Sequence, residues 1–358
     1  MSALPEAAKK IIKDIGEKKF KPIYFLMGEE PYFIDKLASY MEDHVLEEAD
    51  RSFNQAVHYG SDLDISRLVG EAKRYPMMSD YQLVIVKEAQ LIKNLAGKEK
   101  KDKETGKEEE VKDVFLTYCE SPLPSTILVI CYKGKTIDKR KSLYKAIEKN
   151  GIVFNSEVIK DWNLSKWIID FVKEKGYRIN DKAAVMLADF LGNDLAKIDN
   201  EVSKLAISLP PNTEINELII ERNIGISKDY NVFELLKALS KQDTFKANQI
   251  INYFSKNQKE NPAVVTIGHL YNYYSKLLEI HYHRTKGLNS GAIAEKMGIH
   301  PFVFKEYEEA AQRYSYPKIV KNVSSLRDFD LRIKGVESGE LSLEDFYKEF
   351  IYKVIHTR

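Results

Sequence analysis

The stretch of this chain that comes nearest to a chemical motif is GEEPYFID, residues 28–35, which follows an apolar run. A turn between a strand and a helix is where nucleotide-binding proteins place the loop GxxxxGK[ST]. The glycines of that loop let backbone N–H groups converge on phosphate, its Lys contacts the phosphates, and its hydroxyl binds magnesium. Counted from Gly28, the second Gly is replaced by Phe33, the Lys by Ile34, and the hydroxyl by Asp35. We therefore expect a degenerate P-loop that binds no cofactor, and no ATP hydrolysis.

The strand that would complete such a site also lacks the necessary group. A magnesium-binding Walker B strand ends in an acid. Here the apolar run at residues 83–86 is followed by Lys87, which would repel the cation. A second P-loop-like fragment, GKT at residues 134–136, has Val129 where the first Gly of the loop belongs. The pattern predicts a nucleotide-binding architecture without its chemistry.

Metal ligands and nucleophiles show no functional spacing either. Cys119 and Cys131 have neither CxxC spacing nor histidine partners, so we expect no zinc site and no disulfide framework, and a reducing cytoplasm as the setting. His269, His281 and His283 lie among closely spaced tyrosines, which is more typical of helix packing than of a metal site. No nucleophile-elbow pattern occurs. We predict neither a catalytic residue nor a bound metal.

Two short clusters are better candidates for binding. Lys139, Arg140 and Lys141 form a basic cluster at the predicted start of a helix. It is either a solvated cap or a contact with DNA or a partner subunit. Met77 and Met78 stand together just before the apolar run at 83–86. From residue types alone, two methionines there would fill the core beside a buried strand.

Residues 289–307 suggest a different function. A predicted helix, a tight turn at Gly298 and a second helix are compatible with a helix-turn-helix, which would make the chain a DNA-binding regulator. The second helix carries Phe302, Phe304 and Tyr307, where a groove-reading helix shows Arg, Asn, Gln or Ser. Helical packing is therefore the favoured interpretation, and the regulator remains the alternative.

The elements that position these residues alternate between strand and helix in the first part of the chain. Continuous apolar runs, typical of strands buried on both faces, occur at residues 23–27, 83–86 and 126–131. Helical patterns separate these runs. The alternation predicts an α/β domain with a parallel sheet that ends near residues 153–154, and we assign it to residues 1–157.

The remainder of the chain is predicted to be helical. Breaks at Gly176, Gly192 and the Pro210-Pro211 pair delimit helices of a small domain over residues 158–225. Residues 226–358 are predicted to form a third, all-helical domain. Three domains agree with a length of 358 residues, which exceeds what one hydrophobic core usually supports.

Charge and hydropathy restrict the possible partners. Lys plus Arg number 55 and Asp plus Glu number 54, so a net charge of +1 provides no global field for non-specific nucleic-acid binding. No run of 18 apolar residues occurs, and we expect a protein that is neither secreted nor membrane-spanning. The charged run at residues 98–110 is predicted to be a solvated insertion, and no function is assigned to it.

Six pieces of the chain, in this order, resemble the δ subunit of the bacterial DNA polymerase III clamp loader, an AAA+-related family. They are KPIYFLMGEEPYFIDK, YPMMSDYQLVIVKEAQ, PLPSTILVI, DKRKSLYKAI, the pair KEKGYRI and NDLAKIDNEVSKL, and LRDFDLRIKG. Each piece is weak by itself, but their order and the degenerate P-loop make the resemblance specific. The longer stretches look most similar to δ subunits of Bacteroidetes-type bacteria.

The resemblance implies an architecture and a function. It implies a RecA-like α/β domain at 1–157, a helical lid domain at 158–225, and a helical collar domain at 226–358 that assembles a heteropentamer with the ATPase subunits and δ′. It also implies that the chain binds and opens the β sliding clamp for loading onto primed DNA during replication, without hydrolysing ATP itself. The chain would thus be a cytoplasmic subunit of a DNA polymerase holoenzyme, a nucleotidyltransferase, without a catalytic site of its own.

The resemblance further implies a role for Met77 and Met78. In this family the clamp-binding element is a helix end or loop before the central strand, where two adjacent hydrophobic side chains plug a pocket on the clamp. The family often has Leu-Phe at this position, so the present chain differs in side-chain identity. We expect Pro76 to end the preceding helix, so that the two methionines project from the domain.

Overall fold

The computed structural model describes residues 3–96, 114–224, 230–259, 261–299, 301–335 and 342–356. The predicted charged insertion at 98–110 lies outside these residues. The chain divides into two compact units, Met1–Ile159 and Lys160–Arg358. The further division of the second unit into lid and collar domains stays a prediction.

The first unit is built on a five-stranded parallel sheet with the order β2-β3-β4-β1-β5. The strands are β1 (Ile23–Gly28), β2 (Gln55–Tyr59), β3 (Gln82–Lys87), β4 (Thr126–Lys133) and β5 (Ile152–Ser156). The helices are α1 (Glu6–Gly16), α2 (Pro31–His44), α3 (Glu48–Asn54), α4 (Ile65–Ala72), α5 (Val114–Glu120) and α6 (Ser142–Asn150). The predicted α/β fold class and the buried strands β1, β3 and β4 are confirmed.

Helices cover both faces of this sheet, which explains why its central strands are continuously apolar. Phe25 and Val84 point to the face where α4, α5 and α6 pack. Tyr24 and Leu83, their neighbours along the strands, are also buried but project to the opposite face, as expected from the alternation of side chains along a strand. Helix α2 contacts β1, β3 and β4 there.

The second unit is helical apart from two strands of two residues each. Its helices are α7 (Asp161–Glu174), α8 (Asp181–Leu191), α9 (Leu195–Ser208), α10 (Glu217–Ile224), α11 (Val232–Lys241), α12 (Thr244–Lys256), α13 (Ala263–Thr285), α14 (Ser290–Met297), α15 (Pro301–Arg313), α16 (Tyr316–Ile333) and α17 (Leu343–His356). The strands β6 (Arg178–Ile179) and β7 (Glu214–Ile215) pair in parallel. The predicted helical character of this part of the chain is confirmed.

Aromatic side chains form much of the core between α11 and α17. Tyr274 and Tyr314 are fully buried with an edge-to-face ring contact, and the Tyr314 hydroxyl donates to the Leu239 carbonyl at 2.7 Å. His281 on α13 hydrogen-bonds the Tyr314 backbone carbonyl through Nε2 at 2.8 Å. None of the helices in the described part of the chain is long and apolar enough to span a membrane.

Candidate functional site

Met77 and Met78 lie on the surface of the first unit, in the loop between α4 and β3. Met77 is 55% exposed and Met78 is fully exposed, so neither fills the core. Helix α4 ends at Ala72. Pro76 therefore does not end this helix, contrary to the expectation from sequence; the helix stops four residues earlier, and Pro76 belongs to the loop.

A buried asparagine fixes the backbone of this loop. Asn54, at the end of α3, is only 5% exposed. Its Oδ1 accepts a hydrogen bond from the Met77 N–H at 2.6 Å, and its Nδ2 donates to the Met77 carbonyl at 2.9 Å. Because the two bonds engage the peptide groups on both sides of Met77, Asn54 fixes the course of the chain at this residue.

A second tie connects the loop to the same helix. The hydroxyl of Ser79 donates to Oδ2 of Asp50 at 3.1 Å. Asp50 and Asn54 are four residues apart on α3, and so lie on one helix face. Met78 stands between the two tied residues with φ of +52°, a left-handed conformation that is costly for a residue with a side chain.

Other apolar side chains are exposed on the segments that contain Asn54 and Met77. Phe53, which precedes Asn54, is 66% exposed, and Tyr75 in the loop is 75% exposed. The end of α3 and the loop before β3 lead into parallel strands, so both lie at the amino edge of the sheet. This edge therefore presents large apolar side chains on an ordered backbone, which is an arrangement suited to protein recognition.

The degenerate P-loop lies at the opposite, carboxyl edge, after β1. Gly28 has φ of +134°, and a Cβ added to it would lie 2.1 Å from the carbonyl oxygen of Ser156. The Ser156 hydroxyl donates to the Glu30 carbonyl at 2.6 Å, and the Glu30 N–H donates to the Ser156 carbonyl at 3.2 Å. The turn thus packs closely against the end of β5.

At the start of α2, where a P-loop would bind phosphate, a side chain of the chain itself accepts a hydrogen bond from the helix N-terminus. The carboxylate of Glu30 accepts a hydrogen bond from the Tyr32 N–H at 3.0 Å, so an acid of this chain caps the helix. Phe33 and Ile34, in the positions of the second Gly and the Lys, are buried. Both side chains therefore form part of the hydrophobic core.

Lysines and acids pair with one another along the same edge. Nζ of Lys87, at the Walker B position, lies 3.0 Å from the Glu42 carboxylate. Burial opposes the charge on Lys87, but the hydrogen bond and charge of Glu42 outweigh it and raise the pKa of Lys87. Asp35, in the position of the P-loop hydroxyl, pairs with Lys133 at the end of β4. Lys87 therefore stays protonated at the position where a Walker B strand has its metal-binding acid.

The basic cluster is partly engaged within the chain. Arg140 pairs with Asp138 at 2.6 Å, and the hydrogen bonds from Arg140 lower the pKa of Asp138 to about 2. Nζ of Lys141 donates to the Ala96 carbonyl at 2.9 Å. Lys139 is exposed. The cluster thus presents a reduced positive charge, and a contact with DNA or a partner subunit stays a prediction.

The segment at 289–307 has the two helices of the alternative hypothesis, α14 and α15, joined through Gly298 at φ of +64°. Ile293 and Phe304 are buried in the hydrophobic core of the second unit. Tyr307 packs against Tyr273 with ring centroids 5.3 Å apart. The described part of α15 therefore directs aromatic side chains into the core, as helical packing requires.

Comparison with known proteins identifies related sequences for both parts of the chain. The family model described as DNA polymerase III, delta subunit, matches residues 24–157. The model described as DNA polymerase III delta subunit, C-terminal domain, matches residues 229–350. The DNA polymerase III subunit delta of Bacillus subtilis (strain 168) is 24% identical over 340 residues, which cover 95% of each chain.

A solved structure has a similar fold over almost the whole chain. The Bacillus subtilis DNA clamp loader delta protein matches with a TM-score of 0.57 and 21% sequence identity. The match covers 97% of the present chain and 99% of that protein. The similarity shows that the two chains share their fold.

Proposed function

The chain belongs to the DNA polymerase III delta subunit family, the delta subunits of the clamp loader, and we propose that it binds and opens the β sliding clamp through Met77 and Met78. The observation that carries this proposal is the exposure of both methionines on a loop whose backbone is fixed by buried Asn54. Exposed apolar side chains on an ordered loop are suited to fill a pocket on a partner.

The expected energy is sufficient for such a contact. Methionine is unbranched and polarizable, and it adapts to pockets of irregular shape. Burying two methionine side chains stabilises a complex by about 3–5 kcal/mol before ordering costs. A Leu-Phe pair, which the family resemblance implies at this position, would fill a similar volume, so Met-Met keeps the apolar character of the contact.

The proposal does not require ATP binding by this chain. Glu30 caps the start of α2, and the pairing of Lys87 with Glu42 places a cation where magnesium would bind. We assign ATP hydrolysis to the ATPase neighbours in a heteropentamer that also contains δ′. In this assembly residues 158–225 would form the lid domain and residues 226–358 the collar.

Contact with primed DNA is proposed to occur through the assembled complex. The basic cluster at residues 139–141 would contribute Lys139 foremost, because Arg140 pairs with Asp138 and Lys141 donates to a backbone carbonyl. As a replisome component the protein would act in the cytoplasm, at the nucleoid.

Titration of the full-length protein with purified β clamp tests this function. The native chain should bind, and Met77→Ala/Met78→Ala should lose at least 100-fold in affinity if the pair contributes roughly 3 kcal/mol or more. Leu91→Ala is a matched control, since Leu91 is 56% exposed and follows β3 at the other edge of the sheet. Equal binding by the native chain and the double variant would refute the site.

A further inference from the structure

The loop that carries the two methionines is long enough to need a support. Nine residues, 73–81, separate the end of α4 from the start of β3. A loop that samples many conformations binds with an affinity reduced by the fraction of molecules in the competent one. The side chain of Met78 is fully exposed and that of Met77 is 55% exposed, so side-chain burial at these two residues contributes little to holding the loop.

Helix α3 supplies this support through two side chains on one face. Asn54 bonds both backbone groups of Met77, and Asp50 accepts from the Ser79 hydroxyl. Asn54 precedes Met77 by 23 residues, and Asp50 precedes Ser79 by 29 residues. The loop is therefore held at the residues immediately before and after Met78.

Of the two sets of hydrogen bonds, the one made by Asn54 involves a buried side chain. Its side chain is largely withdrawn from solvent, and an amide buried there requires partners for its oxygen and its nitrogen. Met77 supplies both partners. The Asp50–Ser79 contact is more exposed, and it supplements the first tie.

We propose that Asn54 is a positioning residue for clamp binding, which holds the loop in the conformation that presents Met77 and Met78 together. This inference rests on the proposed function. Asn54 need not touch the clamp; it acts by keeping the free protein in the binding-competent conformation, so that binding has little ordering cost.

A matched pair of variants separates positioning from a general loss of stability. Asn54→Ala removes both bonds to Met77. Asn150→Ala removes another asparagine of the same unit whose Nδ2 donates to two backbone carbonyls, those of Cys119 and Glu120, at 2.8 and 3.1 Å. Both substitutions should destabilise the unit to a similar extent, and only the first should affect the loop at residues 73–81.

The test is calorimetric titration of full-length variants with purified β clamp, well below their unfolding temperatures. We expect Asn54→Ala to lower the affinity roughly tenfold, because the two hydrogen bonds to Met77 no longer favour the binding-competent conformation of the loop. Asn150→Ala should bind as the native chain does. Native binding by Asn54→Ala, or an equal loss in Asn150→Ala, would overturn the inference.

A double-mutant cycle distinguishes this inference from the proposed function. If Asn54 acts only through the methionines, adding Asn54→Ala to Met77→Ala/Met78→Ala should cause no further loss of affinity. A full additional tenfold loss would overturn the positioning role. If the methionine variant binds normally, the proposed function fails; if it loses binding while Asn54→Ala does not, only the positioning role fails.

Discussion

Nζ of Lys133 lies 2.8 Å from a carboxylate oxygen of Asp35, the residue in the position of the P-loop hydroxyl. The carboxylate of Glu88 lies 2.6 Å from the same nitrogen. Lys133 ends β4 and Glu88 directly follows β3, so the three groups join separate elements at the carboxyl edge of the sheet. One lysine thus bridges two carboxylates, and most of the charge of this cluster is compensated within the chain.

Replacing Lys133 by Met should lower the free energy of unfolding by about 1 kcal/mol at neutral pH, because these pairs are partly exposed. The hydrogen bond from Lys133 lowers the pKa of Glu88 below its ordinary value of 4.5. A carboxyl with a lowered folded-state pKa stabilises the fold above its unfolded pKa, and this contribution disappears as the pH falls through the folded-state pKa. The difference between the native chain and the variant should therefore decrease below pH 4.5.

Urea unfolding at a series of pH values measures this difference. Lys19→Met is the control, since Lys19 pairs with Glu17 at 2.6 Å but the Lys19 side chain is 68% exposed and that of Glu17 is 41% exposed. It should change the stability little at any pH. A constant difference between native protein and Lys133→Met from pH 7 to pH 3 would contradict the assigned role of the pair.

Gly28→Ala should destabilise the first unit by on the order of 3 kcal/mol or more. The new Cβ would meet the Ser156 carbonyl oxygen at 2.1 Å, and the backbone φ of +134° is unfavourable for Ala. Gly134→Ala is the matched control: its φ is +68°, but no atom lies within 4 Å of the added Cβ. The control should lose only about 1 kcal/mol. Thermal unfolding compares the two, and equal losses would disprove the close approach.

Met78→Gly should be more stable than Met78→Ala by about 1 kcal/mol, the reverse of the usual order inside helices. The reason is the positive φ of this residue, which Gly adopts without the penalty that Ala retains. Both variants lack the fully exposed side chain and should bind the clamp equally weakly. Urea unfolding measures the stabilities; an alanine variant at least as stable as the glycine variant would show that the loop adopts another conformation.

Phe304→Ala should lower the free energy of unfolding of the second unit by about 3–5 kcal/mol, because it empties a buried position on α15. Phe245→Ala provides a control on α12, where the side chain is 74% exposed, and should have little effect. A groove-reading helix would give the opposite result, with stability kept and duplex-DNA binding lost. Unfolding followed by circular dichroism, with a DNA-binding assay in parallel, distinguishes these outcomes.

The parts of the fold that the sequence predicts are those with a strong local pattern. Strands β1, β3 and β4 are buried on both faces and are therefore continuously apolar. Strand β2 was not predicted. It lies at the edge of the sheet, its side chains are mostly half-buried, and polar Gln55 and His58 interrupt the apolar pattern. Its pairing with β3 depends on the assembled sheet, which no local pattern encodes.

The candidate site divides in the same way. The methionine pair is predicted as the clamp-binding site from its position before β3 and from family resemblance, whereas residue types alone favour the core over the surface, where the structure has both side chains. The role of Asn54 could not be predicted from the sequence, because an asparagine between a helix and a strand is common and its partner Met77 is 23 residues away. The absence of P-loop groups was visible at Phe33 and Ile34, whereas the capping of α2 by Glu30 required the structure.

The contact between Asn54 and Met77 involves only main-chain atoms of the methionine. An anchor of this kind does not depend on which side chain the anchored residue carries. The tip of the loop can therefore change its size and shape by substitution while its path over the protein is kept. During evolution, single substitutions in the loop could therefore match changes in a partner's pocket, while the hydrogen bonds from Asn54 keep the loop backbone in place.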